Sequence, residues 1–214
     1  MSFEIKICGI TNVEDARAAL ALEVDYLGFI FYPKSPRAVT PEQVKQVLDE
    51  LGAPCKAVGV FVNAPREEVE AAVEACGLWA AQIHGDETAE MFADSPIRLW
   101  RALKMMPRGP QPDPACWAAE RYVVDATVPG AYGGTGVTAD WEAARDVAQE
   151  RPVLLAGGLT PENVTVAIRA VAPRGVDVSS GVELSAGKKD HEQMKAFVMR
   201  ARKTATRGYR HAEN

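Results

Sequence analysis

The sequence predicts an α/β protein, a single (β/α)8 barrel, on three observations. Short apolar runs alternate with helical stretches along the chain, which calls for parallel strands joined by helical crossovers. The alternation repeats eight times in 214 residues, at the compact end of the barrel range of roughly 200 residues and up. Polar, chemistry-bearing side chains recur where those runs end, and α/β folds bind ligands at the carboxyl ends of their strands. An open doubly wound sheet is the competing architecture, because alternation alone does not establish closure.

The first strand carries Phe3, Ile5 and Ile7 and stops at Cys8-Gly9. Thr11 is placed to cap the helix that follows, with Glu14 at the spacing of a capping box. Residues 26–31 are continuously apolar, as in a strand buried on both faces. Thr40-Pro41-Glu42-Gln43 opens a second helix, with Val44, Val47, Leu48 and Leu51 at amphipathic spacing. Residues 57–62 form a third strand, and Val69, Ala72, Val73 and Cys76 mark a third helix. Residues 79–83 make a fourth strand ending in His84-Gly85, with a short helix near 87–93. Residues 97–103 make a fifth, and its Pro-rich connection leaves room only for a short helix around 115–120.

Residues 122–125 form the sixth strand, followed by a Gly-rich loop and a helix near 141–149. Residues 153–156 form the seventh, with Thr160-Pro161-Glu162 heading a helix that presents Val164, Ala167, Ile168 and Val171. Residues 176–178 form the eighth. Asp190 then caps a last helix with Met194, Phe197, Val198 and Ala201 on its buried face. The barrel domain is expected over residues 1–203, with 204–214 a polar, frayed tail that lacks apolar helical spacing.

Composition narrows the function classes. Hydrophobic content of 47% with 25% charged residues suits a soluble globular domain, and no apolar run is long enough for a membrane helix. A formal charge of −5 without a long basic run argues against nucleic acid as a partner. Cys8, Cys55, Cys76 and Cys116 have neither C-x-x-C spacing nor histidines at metal-ligand intervals, so they read as reduced thiols of a cytoplasmic protein with no metal site.

The strand ends supply Lys6 and Cys8, Arg37, Gln82 and His84, Arg101 and Asp125, and then the turns Gly157-Gly158 and Ser179-Ser180-Gly181. The two late glycine turns fall after the seventh and eighth strands, where barrels commonly hold a phosphate on bare backbone N–H groups. Lys6 and Cys8 are two apart and share a strand face, so the ammonium favours the thiolate. Cys8 and Asp125 are candidate base and acid. Arg37 suits two-pronged recognition of a carboxylate. Gly133-Gly134-Thr135-Gly136 reads either as another anion site or as a lid. The ordinary alternatives are a small buried cysteine, an aspartate satisfying loop amides, a solvated arginine and a structural histidine.

Taken together these pieces resemble the phosphoribosylanthranilate isomerase family of tryptophan biosynthesis. The resemblance rests on Lys6-Ile-Cys-Gly-Ile-Thr11, Gly28-Phe-Ile-Phe31 with Ser35-Pro-Arg37, Val58-Gly-Val-Phe-Val-Asn63 and Gln82-Ile-His-Gly85. It continues through Asp125, Gly133-Gly-Thr-Gly136, Asp140-Trp141, Ala156-Gly-Gly-Leu159 with Asn163-Val164, Asp177-Val-Ser-Ser-Gly-Val-Glu183 and Gly187-Lys-Lys-Asp190.

The resemblance implies an Amadori rearrangement of N-(5-phosphoribosyl)anthranilate, with Cys8 as general base and Asp125 as general acid. It implies substrate contacts from Lys6, Arg37, His84, Gly157, Gly158, Asp177, Ser180 and Gly181. The implied partner is a phosphorylated small molecule, with no cofactor, in a monomer or homodimer. Arg101 stands where the family more often has lysine. The rival readings are a phosphate-binding barrel epimerase or isomerase of another kind, whose metal the scattered histidines would hold poorly, and a non-catalytic barrel that binds a phosphorylated metabolite.

Overall fold

The computed structural model describes residues 3–106, 108–125 and 141–211, with side chains described as far as residue 206. Eight parallel strands form the wall: β1 (Glu4–Cys8), β2 (Tyr26–Ile30), β3 (Ala57–Phe61), β4 (Ala80–Ile83), β5 (Leu99–Met106), β6 (Arg121–Asp125), β7 (Val153–Ala156) and β8 (Gly175–Val178). Neighbours pair in sequence order, β1 also pairs with β8, and β4 pairs with β5, so the ring is closed and the open sheet is excluded. The register places Lys6 opposite both Tyr26 and Asp177.

Closure gives each strand an inward and an outward row, because successive side chains alternate. Ile5, Ile7, Leu27, Phe29, Ile83, Leu103, Val124, Leu155 and Val176 belong to the main apolar cluster between wall and helices. Tyr26, Val58, Ala80, Trp100, Val123 and Leu154 form a separate, smaller cluster that plugs the interior. Within it Tyr26 meets Trp100 edge-on at 4.7 Å between ring centroids, a favoured aromatic geometry. Below that plug, Glu4 accepts from Arg121 at 2.8 Å and from Arg174 at 3.2 Å. Above it lie Lys6, Gln82, Asp177 and the strand ends. The plug therefore makes the carboxyl-end mouth a cup with a solid floor.

Six α-helices cover the described outer face: α1 (Val13–Ala21), α2 (Pro41–Leu51), α3 (Arg66–Cys76), α4 (Trp141–Glu150), α5 (Val164–Val171) and α6 (His191–His211). The Thr40 capping box is present, and Asp190 accepts from the Glu192 and Gln193 amides as expected. The cap of α1 is one residue later than the sequence suggests. Asn12 accepts from the Asp15 amide at 2.8 Å, while the Thr11 hydroxyl donates to the Gly187 carbonyl at 2.5 Å.

The helices expected after β4 and β5 are single 3-10 turns, Ala89–Phe92 and Pro114–Cys116. Instead of ending near 103, β5 runs on and pairs antiparallel with Gly109–Gln111. The last helix, α6, continues past residue 203 to His211. Thr204 and Ala205 are buried there, and the Thr204 hydroxyl donates to the Arg200 carbonyl and lies 3.2 Å from that of Thr165. The glycine cluster at 133–136, together with 126–132 and Asp140, lies outside the described residues.

Candidate active site

The mouth of the cup is a cavity of about 390 Å³ lined by residues of seven of the eight strands and the loops after them. It brings together Cys8 from β1, Arg37 from the loop after β2, His84 after β4, Asp125 from β6, the Gly157-Gly158 turn after β7, and Asp177 with Ser180 and Gly181 from β8 and its turn. Nine of the ten site residues anticipated from sequence line this one space. The exception is Lys6, which is fully buried below it and is not one of the lining residues.

Lys6 instead organises the floor. Its ammonium donates to Asp177 Oδ2 at 2.8 Å and to Gln82 Oε1 at 3.0 Å. Burial works against that charge, but the Asp177 carboxylate and Cys8 outweigh it and hold Lys6 above the ordinary lysine value. Breaking such a buried pair by removing one partner costs about 3–5 kcal/mol, because the other charge is stranded. Gln82 in turn contacts His84 Nδ1 at 3.0 Å. Burial and the nearby Lys6 ammonium keep the His84 imidazole below its ordinary value, so it is neutral at pH 7. Asp177 Oδ1 and the Ser179 hydroxyl are buried without a hydrogen-bond partner among the described residues, an acceptor and a donor belonging to two residues that line the cavity.

Cys8 sits beside this floor, and Lys6 favours its thiolate as expected, but without bringing the thiol below its ordinary value. Burial pushes the thiol up, and Asp177 adds to that. Lys6 and Lys189 pull it down without overcoming burial. Space for the sulfur comes from the strand beside it. A Cβ on Gly28 would lie 2.7 Å from Cys8 Sγ and 2.9 Å from Cys8 Cα, so only glycine fits there.

The two late glycine turns are in contact. A Cβ on Gly181 would fall 1.8 Å from the Leu159 carbonyl oxygen, so the backbones touch. Gly157 and Gly158 take φ values of 89° and 62°, which favour glycine. The result is a concave backbone surface on one wall of the cavity, the kind that accommodates an anion.

The profile of the N-(5'phosphoribosyl)anthranilate (PRA) isomerase family matches residues 5–200. An N-(5'-phosphoribosyl)anthranilate isomerase from Magnetococcus marinus is 43% identical over 203 residues, covering 95% of this chain and 97% of the relative. The chain belongs to the phosphoribosylanthranilate isomerase family. The phosphoribosylanthranilate isomerase crystal structure from Thermotoga maritima superposes with a TM-score of 0.81 at 36% identity, over 94% of this chain and all of that one. A family structure in complex with reduced 1-(o-carboxyphenylamino)-1-deoxyribulose 5-phosphate gives a TM-score of 0.79 at 34% identity, covering 94% of this chain and 100% of that one.

Within this isomerase barrel, two residues left without a role by the sequence reading hold the rim. Glu183 takes Arg37 in a two-pronged pair, and also accepts from Lys189 Nζ at 2.7 Å. Lys189 is itself buried and donates to the backbone carbonyls of Cys8 at 2.6 Å and Ser179 at 3.2 Å, tying the ends of β1 and β8 together. Their signal was present in the sequence, in the Gly187-Lys-Lys-Asp190 segment and the glutamate closing the Asp177 motif. Arg101 moves the other way. It points outward, stacks on Trp117 at 4.6 Å, and donates to the Ile83 and Gly85 carbonyls at 2.7 Å, so it shapes the loop after β4 and lines none of the cavity.

Proposed function

We propose that Cys8 and Asp125 carry the isomerase activity of this chain as general base and general acid, on N-(5-phosphoribosyl)anthranilate. The observation that carries the assignment is their convergence: a thiol from β1 and a carboxyl from β6 line one cavity with a glycine-built anion surface and a carboxylate-binding arginine. Asp125 gives its proton to the ribose ring oxygen, the ring opens, and C1 is left as an imine of the anthranilate nitrogen. Cys8 as thiolate then takes the proton from C2, forming an enolamine. Tautomerisation moves the enol proton to C1 and leaves a ketone at C2, giving 1-(2-carboxyphenylamino)-1-deoxyribulose 5-phosphate. Protons and electrons balance within the substrate, so an acid and a base suffice.

In this reading Arg37 holds the anthranilate carboxylate. Gly157, Gly158, Ser180 and Gly181 hold the phosphate. Asp177 and His84 face the ribose hydroxyls, and Lys6 serves from beneath by holding Asp177 and favouring the Cys8 thiolate. Residues 1–203 act as the catalytic barrel. The four free cysteines fit a reducing cytoplasm, and none of the described helices is long and apolar enough to cross a membrane.

The test is the loss of substrate fluorescence followed in wild type, Cys8→Ser and Asp125→Asn. Each substitution removes a proton-transfer group and is expected to lower kcat by about 10²-fold to 10⁴-fold. Retention of wild-type kcat in either variant rules out the role given to that residue.

A further inference from the structure

We propose that Gln82 is a positioning residue, which fixes His84 as a neutral hydrogen-bond donor protonated on Nε2. The proposal rests on the reading that this cavity is the isomerisation site.

Hydrogen-bond polarity runs in one direction along the floor. An ammonium only donates, so the end of Gln82 that lies 3.0 Å from Lys6 Nζ is its carbonyl oxygen. The other end of the same carboxamide, 3.0 Å from His84 Nδ1, is then the amide nitrogen, which also only donates. His84 Nδ1 must accept, and a neutral imidazole that accepts at Nδ1 carries its proton on Nε2. Reversing the carboxamide would set N–H groups against an ammonium at the centre of the barrel. Protonating the ring would set an Nδ1–H against the Gln82 N–H. Asp177, 2.8 Å from Lys6, keeps the first member charged and so gives the series its direction.

The charged groups that act on His84 come from four strands. Lys6 on β1 and Arg101 on β5 oppose a positive ring, while Asp125 on β6 and Asp177 on β8 favour one. Burial opposes it most, and the balance agrees with the polarity argument.

Two consequences follow for the reaction. Nε2–H is the ring position not engaged by Gln82, so His84 offers the cavity one donor that can meet a ribose oxygen but cannot accept a proton there. The ring also brings no positive charge to Asp125. Coupling between the two is mutual: an imidazolium would favour the carboxylate form and drain the acid needed for ring opening. Gln82 thus acts on the acid through a histidine.

The experiment is 15N NMR of the histidine ring nitrogens in the full-length protein, with His84→Asn used to assign the resonances. The expected result is an Nε2–H tautomer at pH 7 that stays neutral through 6.5, where an ordinary histidine is half charged. An Nδ1–H tautomer or an imidazolium at pH 7 overturns the proposal. Gln82→Glu supplies an acceptor to Nδ1, and is expected to move the ring proton to Nδ1 or charge the ring. Its kcat should fall by about tenfold or more, with KM changed by less than about threefold. A relocated ring proton with unchanged kcat overturns the catalytic consequence.

Gln82→Met, which keeps the volume but removes the amide, should give mixed tautomers and an intermediate kcat. Wild-type behaviour in both measurements overturns the role of Gln82, even if Gln82→Glu does not fold. Failure of the site itself reads differently. Cys8→Ser and Asp125→Asn would then keep activity while the wild-type ring spectrum still shows Nε2–H.

Discussion

Arg37 and Glu183 form an ion pair in which Nε and Nη2 span both carboxylate oxygens, at 2.6 to 3.1 Å. The guanidinium is gripped along one edge. Its Nη1 makes no hydrogen bond among the described residues, and Arg37 lines the cavity, so a second carboxylate can meet the remaining edge. Glu183 therefore aims Arg37 without neutralising the rim, because Lys189 supplies a compensating charge.

Glu183→Gln keeps the shape and removes the charge-assisted grip. A charged hydrogen bond contributes about 1.5–3 kcal/mol, so KM should rise by about tenfold or more, while kcat changes by less than about threefold. Steady-state kinetics separates the two constants. A variant whose kcat drops while KM holds would mean that Glu183 serves the chemistry and not substrate docking.

The ionisation of Cys8 sets the alkaline behaviour. The productive enzyme pairs a thiolate with a protonated carboxyl, although thiols ordinarily titrate well above carboxyls. Between the two titrations each rise in pH gains thiolate and loses acid in equal proportion, so kcat/KM is level there and falls only above the thiol's pKa. Burial pushes that thiol up from 9.0, so the descending limb is expected above pH 9.0. Lys189 favours the thiolate, so Lys189→Met should move the limb higher still and lower the plateau. Thiolate absorbance near 240 nm, as the difference between wild type and Cys8→Ser, checks the same value independently. A thiolate already formed at neutral pH contradicts the burial argument.

Gly28→Ala tests the space beside the sulfur. The added Cβ would sit 2.7 Å from Sγ and 2.9 Å from the Cys8 backbone, so either the thiol or the strand has to move. Overpacking of this kind costs about 1–3 kcal/mol of stability. A displacement of the base by ~1 Å can lower kcat by about 10²-fold. Denaturant unfolding and kinetics on the same preparation read both effects. Activity within twofold of wild type would show that the sulfur does not need its observed position.

Acid stability should decline in two stages. His84 lies below its ordinary value, so folding favours its neutral form. That contribution is complete above 6.5 and is lost as pH falls from there through the folded value. Glu4 is also lowered, since its bonds to Arg121 and Arg174 outweigh burial, so its contribution is complete above 4.5 and is lost as pH falls through its folded value. Urea midpoints should be level above about pH 7, slope from about 6.5, and drop again below 4.5. His84→Asn should abolish the first slope and leave the second. A midpoint that rises between pH 7 and 5 contradicts the assignment.

The barrel was legible because its evidence is local. Each strand and helix announces itself within about ten residues, whereas closure, which removes the sheet's edges, is settled only by the pairing of β1 with β8. The residues at the mouth were legible for the same reason, as all follow strand ends. What escaped depends on partners far along the chain. Thr11 and Asn12 are both plausible caps, and the choice is made by a Gly187 carbonyl 176 residues away. Arg37 looks like a free loop arginine until Glu183 arrives from 146 residues on. Lys6 beside Cys8 suggested an activated thiol, yet depth of burial is invisible in a dipeptide spacing. Arg101 was avoidable, because the neighbouring Trp100 plugs the barrel and strict alternation sends Arg101 outward.

The pairing of Lys6 with Asp177 also governs when the molecule can become whole. A ribosome delivers the carboxylate partner 171 residues after the lysine. Until β8 arrives, the β1 edge is open and its ammonium must stay in water, so the early strands cannot settle into their final dry arrangement. Completion of the ring and neutralisation of its centre are therefore one event, which waits for β8. A chain that stops before residue 175 lacks both the closing edge and the counter-charge.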